Sequence, residues 1–248
     1  MPSLASVRTL ATQPPVRGWN EALDPRYPAD GLTLSELELI EAAGGHRRTL
    51  RRGEVLILTG MPFRSIYALR QGSFKSRFTS EGGKEQIAAF YMAGDLLGVD
   101  AIGAEVHNCD VVAIENSEVY EIAYGMLLRL MRAEPTLQRQ IHRLISREMQ
   151  RDQGVVLLLG SMRAGQKLAM FLLGLSHRLA IRGCSPTRIT LRMTREEIGN
   201  YLGMTIETVS RTLTRLEDEG MIIMHGRDAE LCDIDRLRRL ISTPAYRF

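Results

Sequence analysis

The chain has 248 residues, of which 44% are hydrophobic and 25% are charged, and these proportions are typical of a folded globular protein. They argue against a mainly disordered, collagen-like or coiled-coil chain. No apolar run approaches the roughly 18 residues of a membrane-spanning helix, and the N-terminus lacks the pattern of a signal peptide. We therefore expect a cytosolic protein with no membrane association.

The cysteine pattern and the charge distribution narrow the function further. Cys109, Cys184 and Cys232 are far apart and form no CxxC pair, so we expect neither a disulfide nor a metal site from them. Residues 161–248 contain 14 Lys+Arg against 10 Asp+Glu, whereas residues 1–160 contain 18 against 19. The basic excess of the last third is almost entirely arginine, which suits phosphate and guanine.

The first half of the chain predicts an arm followed by a β-rich domain. Residues 1–32 are proline-rich with little periodicity and predict a flexible arm, and residues 33–44 predict a short helix. From about 47 to 124, runs of β-branched and aromatic residues alternate with glycine. This pattern predicts an antiparallel barrel or jelly roll within a sensor domain of residues 33–133. The predicted strands are Val55–Thr59, Ser65–Arg70, Phe74–Thr79, Gln86–Tyr91, Asp110–Glu115 and Glu118–Ala123.

Residues 134–160 predict a long helix that starts at Pro135, where the missing N–H is tolerated. A helix of about 25 residues is about 37 Å long and needs a partner surface along its length. That surface is either the barrel or a second copy of the helix, and we favour a homodimer. The predicted dimer contacts are Leu137, Ile141, Leu144, Met149, Asp152 and Val156.

Residues 161–248 predict a mostly helical domain that contains a helix–turn–helix. Thr194 and Glu197 have the spacing of a capping box, Gly203 permits the positive φ of a tight turn, and Thr205 caps a second helix. The predicted inward face of that second helix consists of Ile206, Val209, Leu213 and Leu216.

The outward face of the second helix carries side chains that can recognise bases. Arg211 can donate twice to guanine, Glu207 can accept from cytosine N4, and Ser210 can reach a base or a phosphate. The alternative is a helical hairpin with a solvated face. A β-hairpin wing is predicted to follow, with Arg227 on a phosphate. The complete set of predicted DNA contacts is Glu207, Ser210, Arg211, Thr205, Thr208, Arg215, Arg195 and Arg227.

The segment Ile198–Leu213, which contains the pattern E-x-x-S-R, resembles the CRP/FNR superfamily of bacterial transcription regulators, and especially its FNR branch. Ser65–Ser76, Ala93–Gly103 and Asp152–Gly160 are also similar. The resemblance implies an α+β protein with an N-terminal cyclic-nucleotide-binding-type barrel, a long dimerisation helix and a C-terminal winged helix-turn-helix.

The resemblance also implies how DNA is read. A homodimer would bind a palindrome near TTGAT and ATCAA half-sites separated by four base pairs. Arg211 would read guanine, Glu207 the opposite strand and Ser210 a thymine. RNA polymerase is the protein partner that the family implies.

The chain departs from the family at two effector sites. FNR oxygen sensors hold an iron–sulfur cluster with three cysteines in the N-terminal arm and one in the barrel. Here residues 1–50 contain no cysteine and Tyr120 stands at the barrel position, so we expect no such cluster. Family members that bind cAMP use an Arg-Ser/Thr pair, whereas this chain has His107–Asn108 in that stretch, so cAMP is not expected.

Asp152 matches an aspartate on the dimer helix of FNR proteins. Two such carboxylates facing across a two-fold axis at about 4 Å would repel by about 1–4 kcal/mol. An effector could then rescue a weakened dimer. The alternative is a solvent-facing aspartate paired with Arg151 or Arg147.

We expect a small effector to control DNA binding, and cyclic di-GMP is the leading candidate. Arg47, Arg48, Arg51 and Arg52 form R-x-x-x-R pairs that suit the guanines and phosphates of cyclic di-GMP, although such arginines also occur at solvated edges. His107 is a less favoured haem or metal ligand. A regulator controlled by its own abundance is a further alternative. Enzymatic activity is disfavoured, because the five histidines include no H-x-H pair.

Overall fold

A computed structural model of the protein describes residues 31–242. Of the predicted flexible arm, all but the last two residues lie outside the described part. The described chain begins with helix α1 (Leu34–Ala42), whose first turn is closed by reciprocal hydrogen bonds between Thr33 and Glu36. No helix of residues 31–242 is both long and apolar enough to cross a membrane.

Two four-stranded antiparallel sheets follow α1, with strand orders β1-β8-β3-β6 and β2-β7-β4-β5. Their inward-facing apolar side chains form a core that includes the fully buried Leu69 and Phe74. The strands are β1 (His46–Leu50), β2 (Val55–Ile57), β3 (Ser65–Gln71), β4 (Ser73–Thr79), β5 (Glu85–Met92), β6 (Leu96–Leu97), β7 (Asp110–Ala113) and β8 (Ser117–Ala123).

The six predicted strands are all present, but two strands were not predicted. β6 has only two residues, which is too short to give a periodic pattern. β1 has the sequence HRRTL and its pattern is dominated by charge. It forms because its backbone pairs with β8, with Arg48 opposite Val119. That pairing is distant in sequence and leaves no local signal.

Helix α2 (Tyr124–Ala133) is followed by the long helix α3 (Pro135–Ser161), with proline in its first turn. The structure corrects part of the predicted dimer surface. Leu137, Ile141 and Leu144 are buried in the core of their own chain, where they pack with apolar residues of the barrel and of α1. A helix stripe that already faces a sheet of the same chain is not available to a second copy.

The remaining predicted dimer side chains have the opposite environment. Met149 is 60% exposed and Val156 is 72% exposed, and Asp152 is also exposed. The first half of α3 therefore packs on the barrel, while the second half presents a separate apolar stripe. The barrel alternative thus holds for the first half of the helix, and the homodimer stays a prediction for the second half.

Up to Ser242, where the described part ends, the C-terminal domain combines four helices with a three-stranded antiparallel sheet of order β10-β11-β9. Its final helix was not predicted. The elements are α4 (Ala164–Ile181), β9 (Arg188–Thr190), α5 (Arg195–Leu202), α6 (Ile206–Asp218), β10 (Ile222–His225), β11 (Asp228–Leu231) and α7 (Ile234–Ser242).

Candidate nucleic-acid interface

Local sequence signals build the turn between α5 and α6. The N–H of Glu197 donates to Thr194 Oγ1 at 3.1 Å, and the N–H of Thr194 donates to Glu197 Oε2 at 2.7 Å. Gly203 then adopts a left-handed φ of 62°. A Cβ at this position would also lie 3.1 Å from Leu159 Cδ2. The left-handed backbone conformation therefore favours glycine, and any larger residue would also displace the Leu159 side chain of α3.

Helix α6 separates a buried face from an exposed one. Val209, Leu213 and Leu216 are buried in the domain core, as predicted. The prediction for Ile206 was wrong, because its side chain is 45% exposed. Ile206 is the first residue of the helix, and the stripe that faces the core begins one turn later, at Val209.

The side chains predicted to read bases share the outer face of α6. Glu207 and Arg211 are exposed, and Ser210 is partly exposed. Thr205 caps the helix by accepting from the N–H of Thr208 at 3.2 Å, which fixes the direction of the first turn. The outer face of the first two turns of α6 is thus free of the core and available to a groove.

Glu207 is held in its charged form. Hydrogen bonds from its own backbone N–H and from the Thr205 hydroxyl, together with the Arg211 guanidinium, lower the pKa of the Glu207 carboxyl. A carboxylate only accepts hydrogen bonds, and close to phosphates it is repelled. This favours contact with a base-edge donor such as cytosine N4 over contact with the DNA backbone.

The other predicted contacts surround this face to different degrees. Arg195, at the start of α5, donates from Nη1 to Ser210 Oγ at 3.3 Å, so that helix reaches the centre of the face. Arg215 lies one turn beyond Arg211 and forms an ion pair with Glu219 at 2.9 Å. Arg227 is exposed at the tip of the β10–β11 hairpin.

A supporting lysine was missed by the sequence analysis. Lys167 is buried, and its Nζ donates to the backbone oxygen of Leu202 at 3.1 Å. This bond satisfies a carbonyl at the end of α5, directly before the turn. A lysine within an apolar stretch of α4 is a weak signal, because the sequence does not show which carbonyl it reaches.

Two of the four arginines considered for a cyclic dinucleotide are engaged in the barrel. Arg47 pairs with Glu41 at 3.0 Å and lies 5.5 Å from the centre of the Tyr120 ring. Arg48 pairs with Glu121 at 3.0 Å. Each of these two guanidinium groups is paired with a carboxylate, and their R-x-x-x-R partners, Arg51 and Arg52, follow the end of β1. The structure therefore does not support a cyclic di-GMP site here.

The remaining candidate sensor residues are buried. The Tyr120 hydroxyl donates to Glu41 at 2.9 Å. His107 is buried, with Nδ1 3.4 Å from an Asp100 oxygen. Burial, together with the nearby Asp100 carboxylate, raises the pKa of the Cys109 thiol to about 12. Within residues 31–242, no three histidine, cysteine, aspartate or glutamate side chains are grouped so as to hold a metal ion.

The family assignment rests on two matches. Residues 47–134 match the cyclic nucleotide-binding domain family, and residues 166–240 match the Crp-like helix-turn-helix domain family. The transcriptional regulatory protein btr of Bordetella pertussis is 39% identical over 211 residues, which are 85% of this chain and 87% of that protein. The fumarate and nitrate reduction regulatory protein of Escherichia coli is 40% identical over 209 residues, 84% of each chain.

Solved structures agree with this assignment. FixK2 from Bradyrhizobium japonicum has a TM-score of 0.72 and 29% identity, and the match covers 81% of this chain and 99% of FixK2. A CooA mutant from Carboxydothermus hydrogenoformans has a TM-score of 0.69 at 17% identity, which shows the fold. A cyclic-nucleotide-binding-type barrel, a long helix and a C-terminal helix-turn-helix occur here in one chain, and the chain belongs to the CRP/FNR family of DNA-binding transcription regulators.

Proposed function

We propose that this regulator binds an FNR-like palindrome as a homodimer and reads it with Arg211, Glu207 and Ser210. The observation that carries the proposal is the position of these side chains on the exposed face of α6, opposite its buried stripe. Arg195, Thr205, Thr208, Arg215 and Arg227 are proposed to contact phosphates or to position the helix. RNA polymerase is the expected protein partner, and the bacterial cytoplasm the expected location.

The stripe on the second half of α3 supports the homodimer. Ile145, Met149, Asp152, Val156 and Leu159 follow one another at spacings of four, three, four and three residues. This is the heptad spacing of a two-stranded coiled coil. All except the partly buried Ile145 are exposed, so the stripe is available to the same stripe of a second copy.

Asp152 occupies the middle of that stripe and is proposed to weaken the dimer. Partial loss of hydration raises the pKa of the Asp152 carboxyl, although the positive charge of Arg151 opposes the rise. Arg151 itself bonds to Glu148 at 2.7 Å and lies 3.7 Å from Asp95. The Arg151 charge therefore interacts with Glu148 and Asp95 as well as with Asp152.

Control by an effector is the finer part of the proposal. The chain has three cysteines, and an iron–sulfur cluster takes three or four thiolates. Because Cys184 and Cys232 belong to the DNA-binding domain, we infer no cluster. Arg47 and Arg48 are already paired with Glu41 and Glu121, and His107 is buried beside Asp100. We therefore favour regulation without a bound effector, through the amount of protein.

Fluorescence anisotropy on a labelled TTGAT-type palindrome tests the proposed function. The wild-type protein should bind this duplex more tightly than a scrambled duplex of equal length, with a steep loss of affinity as salt rises. Equal affinity for both duplexes would show that sequence is not read. Adding cyclic di-GMP should leave the binding curve unchanged.

A further inference from the structure

A buried carboxylate joins the three parts of the molecule. Asp95 lies in the turn between β5 and β6 and is 2% exposed. Arg182 Nη2, from α4, lies 2.9 Å from Asp95 Oδ1. Arg178, also from α4, pairs with Oδ2 of the same carboxylate, and Arg151 of α3 lies 3.7 Å from it. The Asp95 carboxylate of the barrel thus attracts both the long helix α3 and helix α4 of the DNA-binding domain.

The two α4 arginines also bond to the barrel backbone. Arg178 Nη1 donates to the oxygen of Phe90 at 3.0 Å, and Arg182 Nε donates to the oxygen of Ala93 at 2.7 Å. Each guanidinium therefore binds both a carboxylate and a carbonyl. Such forked contacts fix direction as well as distance, so they determine how α4 is oriented on the barrel.

A second contact holds helix α5 against strand β5. The N–H of Ile87 donates to Asn200 Oδ1 at 2.5 Å, and Asn200 Nδ2 donates to the oxygen of Glu85 at 2.9 Å. Because β5 is at the edge of its sheet, these groups have no neighbouring strand. Lys75 and Glu197 form an ion pair at 2.7 Å beside them.

Apolar side chains continue the junction without a break. Phe90 of β5 lies 5.2 Å from Tyr201 of α5 and 6.1 Å from Phe171 of α4, measured between ring centres. Ile87 and Phe90 belong to the same buried cluster as the core of the DNA-binding domain. The barrel and this domain therefore share one core in the arrangement described.

This arrangement leaves the reading face of α6 open. Glu207 and Arg211 are exposed while α5 is docked on β5. A dimer that binds a palindrome must hold its two recognition helices about 34 Å apart. A domain that is fixed to the barrel and to the dimer helix keeps the separation of the two recognition helices constant, whereas a domain that swings freely does not.

We propose that Asp95 and its three arginines form a lock that holds the DNA-binding domain on the barrel in its DNA-competent orientation without a bound effector. The effect of the lock on DNA affinity rests on the proposed DNA-binding function. The docked state itself can be tested without DNA, because the Ile87 amide is hydrogen-bonded to Asn200, a residue of the other domain.

Amide hydrogen exchange on the full-length protein is the first test. In the wild type, the Ile87 amide should be protected. In Asp95→Asn it should exchange much faster, while amides between β3 and β8 keep their protection. Asp235→Asn, which removes an exposed carboxylate on α7, is the matched control and should behave as wild type.

The outcomes of this experiment are separable. Equal protection of Ile87 in wild type and Asp95→Asn overturns the lock, as does an unprotected Ile87 in the wild type. If Asp95→Asn also loses the β3–β8 protection, the variant has unfolded and Arg182→Gln decides. That variant leaves Asp95 paired with Arg178 and should give partial loss of Ile87 protection, and no loss overturns the proposal.

DNA binding is the second test. The lock predicts that Asp95→Asn lowers affinity for a palindrome about tenfold or more, because both sites must be engaged at once. Affinity for a single half-site should stay as in wild type. Equal losses of affinity for the palindrome and for the half-site would overturn the lock. If the wild type does not prefer the palindrome, the proposed function is wrong, and the hydrogen-exchange result still tests the lock.

Discussion

The side-chain amide of Asn200 takes the place of a neighbouring strand for Ile87, accepting its backbone N–H at 2.5 Å. An edge strand normally exposes such groups to water or to another chain. Here a helix of the DNA-binding domain satisfies them. The bond connects a residue of the recognition motif to the barrel, and it gives a direct probe of whether the two domains stay together.

Arg211 is expected to carry base recognition. Arg211→Ala should weaken binding to the palindrome by about 1–3 kcal/mol and relax the choice of base at the guanine it reads, because two hydrogen bonds are lost. Anisotropy titrations on duplexes with each base at that position measure both effects. Arg238→Ala, which removes an arginine paired with Asp235 on α7, should leave base preference unchanged. Unaltered preference in Arg211→Ala would refute the assignment.

Asp152 is expected to limit dimerisation. Asp152→Asn keeps the shape and removes the repulsion between two copies, so the dimer dissociation constant measured by sedimentation should fall. In the single chain, partial loss of hydration already raises the pKa of Asp152. In the dimer, each Asp152 carboxylate would raise the pKa of the other further, because two like charges at short distance disfavour ionisation. Protonation therefore favours the dimer, and the repulsion disappears as pH falls through that raised pKa. Wild-type dimers should tighten on mild acidification.

The asparagine variant provides the control for that pH effect. Its dimer affinity should be higher at neutral pH and should change less than the wild-type value between neutral and mildly acidic solution. A wild-type dimer that weakens as pH falls would contradict the role of Asp152.

Docking of the DNA-binding domain through Asp95 should weaken on acidification, which is opposite to the pH effect on the dimer. Burial alone would raise the pKa of its carboxyl, but the charges of Arg178, Arg151 and Arg182 outweigh burial and hold the pKa below its usual range. A lowered pKa gives stability that is present above the unfolded-state value, about 3.9, and is lost as pH falls through the folded-state value. Scattering profiles should show the domains docked at pH 5 and above, where aspartate is ionised, and separating only under strong acid.

Gly72 is expected to be essential for folding of the barrel. Its φ is +93°, and a Cβ there would lie 2.7 Å from the backbone Cα of Ser117. Gly83 has φ +76° with open space around it. Gly83→Ala should therefore lower the free energy of unfolding only by the strain of a left-handed alanine, about 1–2 kcal/mol. Gly72→Ala should lower it clearly more. Urea unfolding compares the two, and equal losses would show that the Ser117 contact is easily relieved.

The helix-turn-helix could be predicted from the sequence because its signals are local. Thr194, Glu197 and Gly203 act within one turn of their own positions, and they have the predicted roles. The exposed placement of Glu207 and Arg211 also follows from helical periodicity. Ile206 was assigned wrongly, because periodicity does not show where along a helix the buried face begins.

Local patterns in the sequence predict six of the barrel strands and the capped helices of the DNA-binding motif, because these elements depend on neighbours within a few residues. The family resemblance also rests on short sequence motifs. The packing of Leu137 and Ile141 on their own barrel and the pairing of Arg47 with Glu41 are seen only in the folded chain. The same is true of Asp95, which meets arginines more than 50 positions away. These contacts depend on how sheets and helices are brought together, and charge or periodicity along the chain contains no record of that pairing.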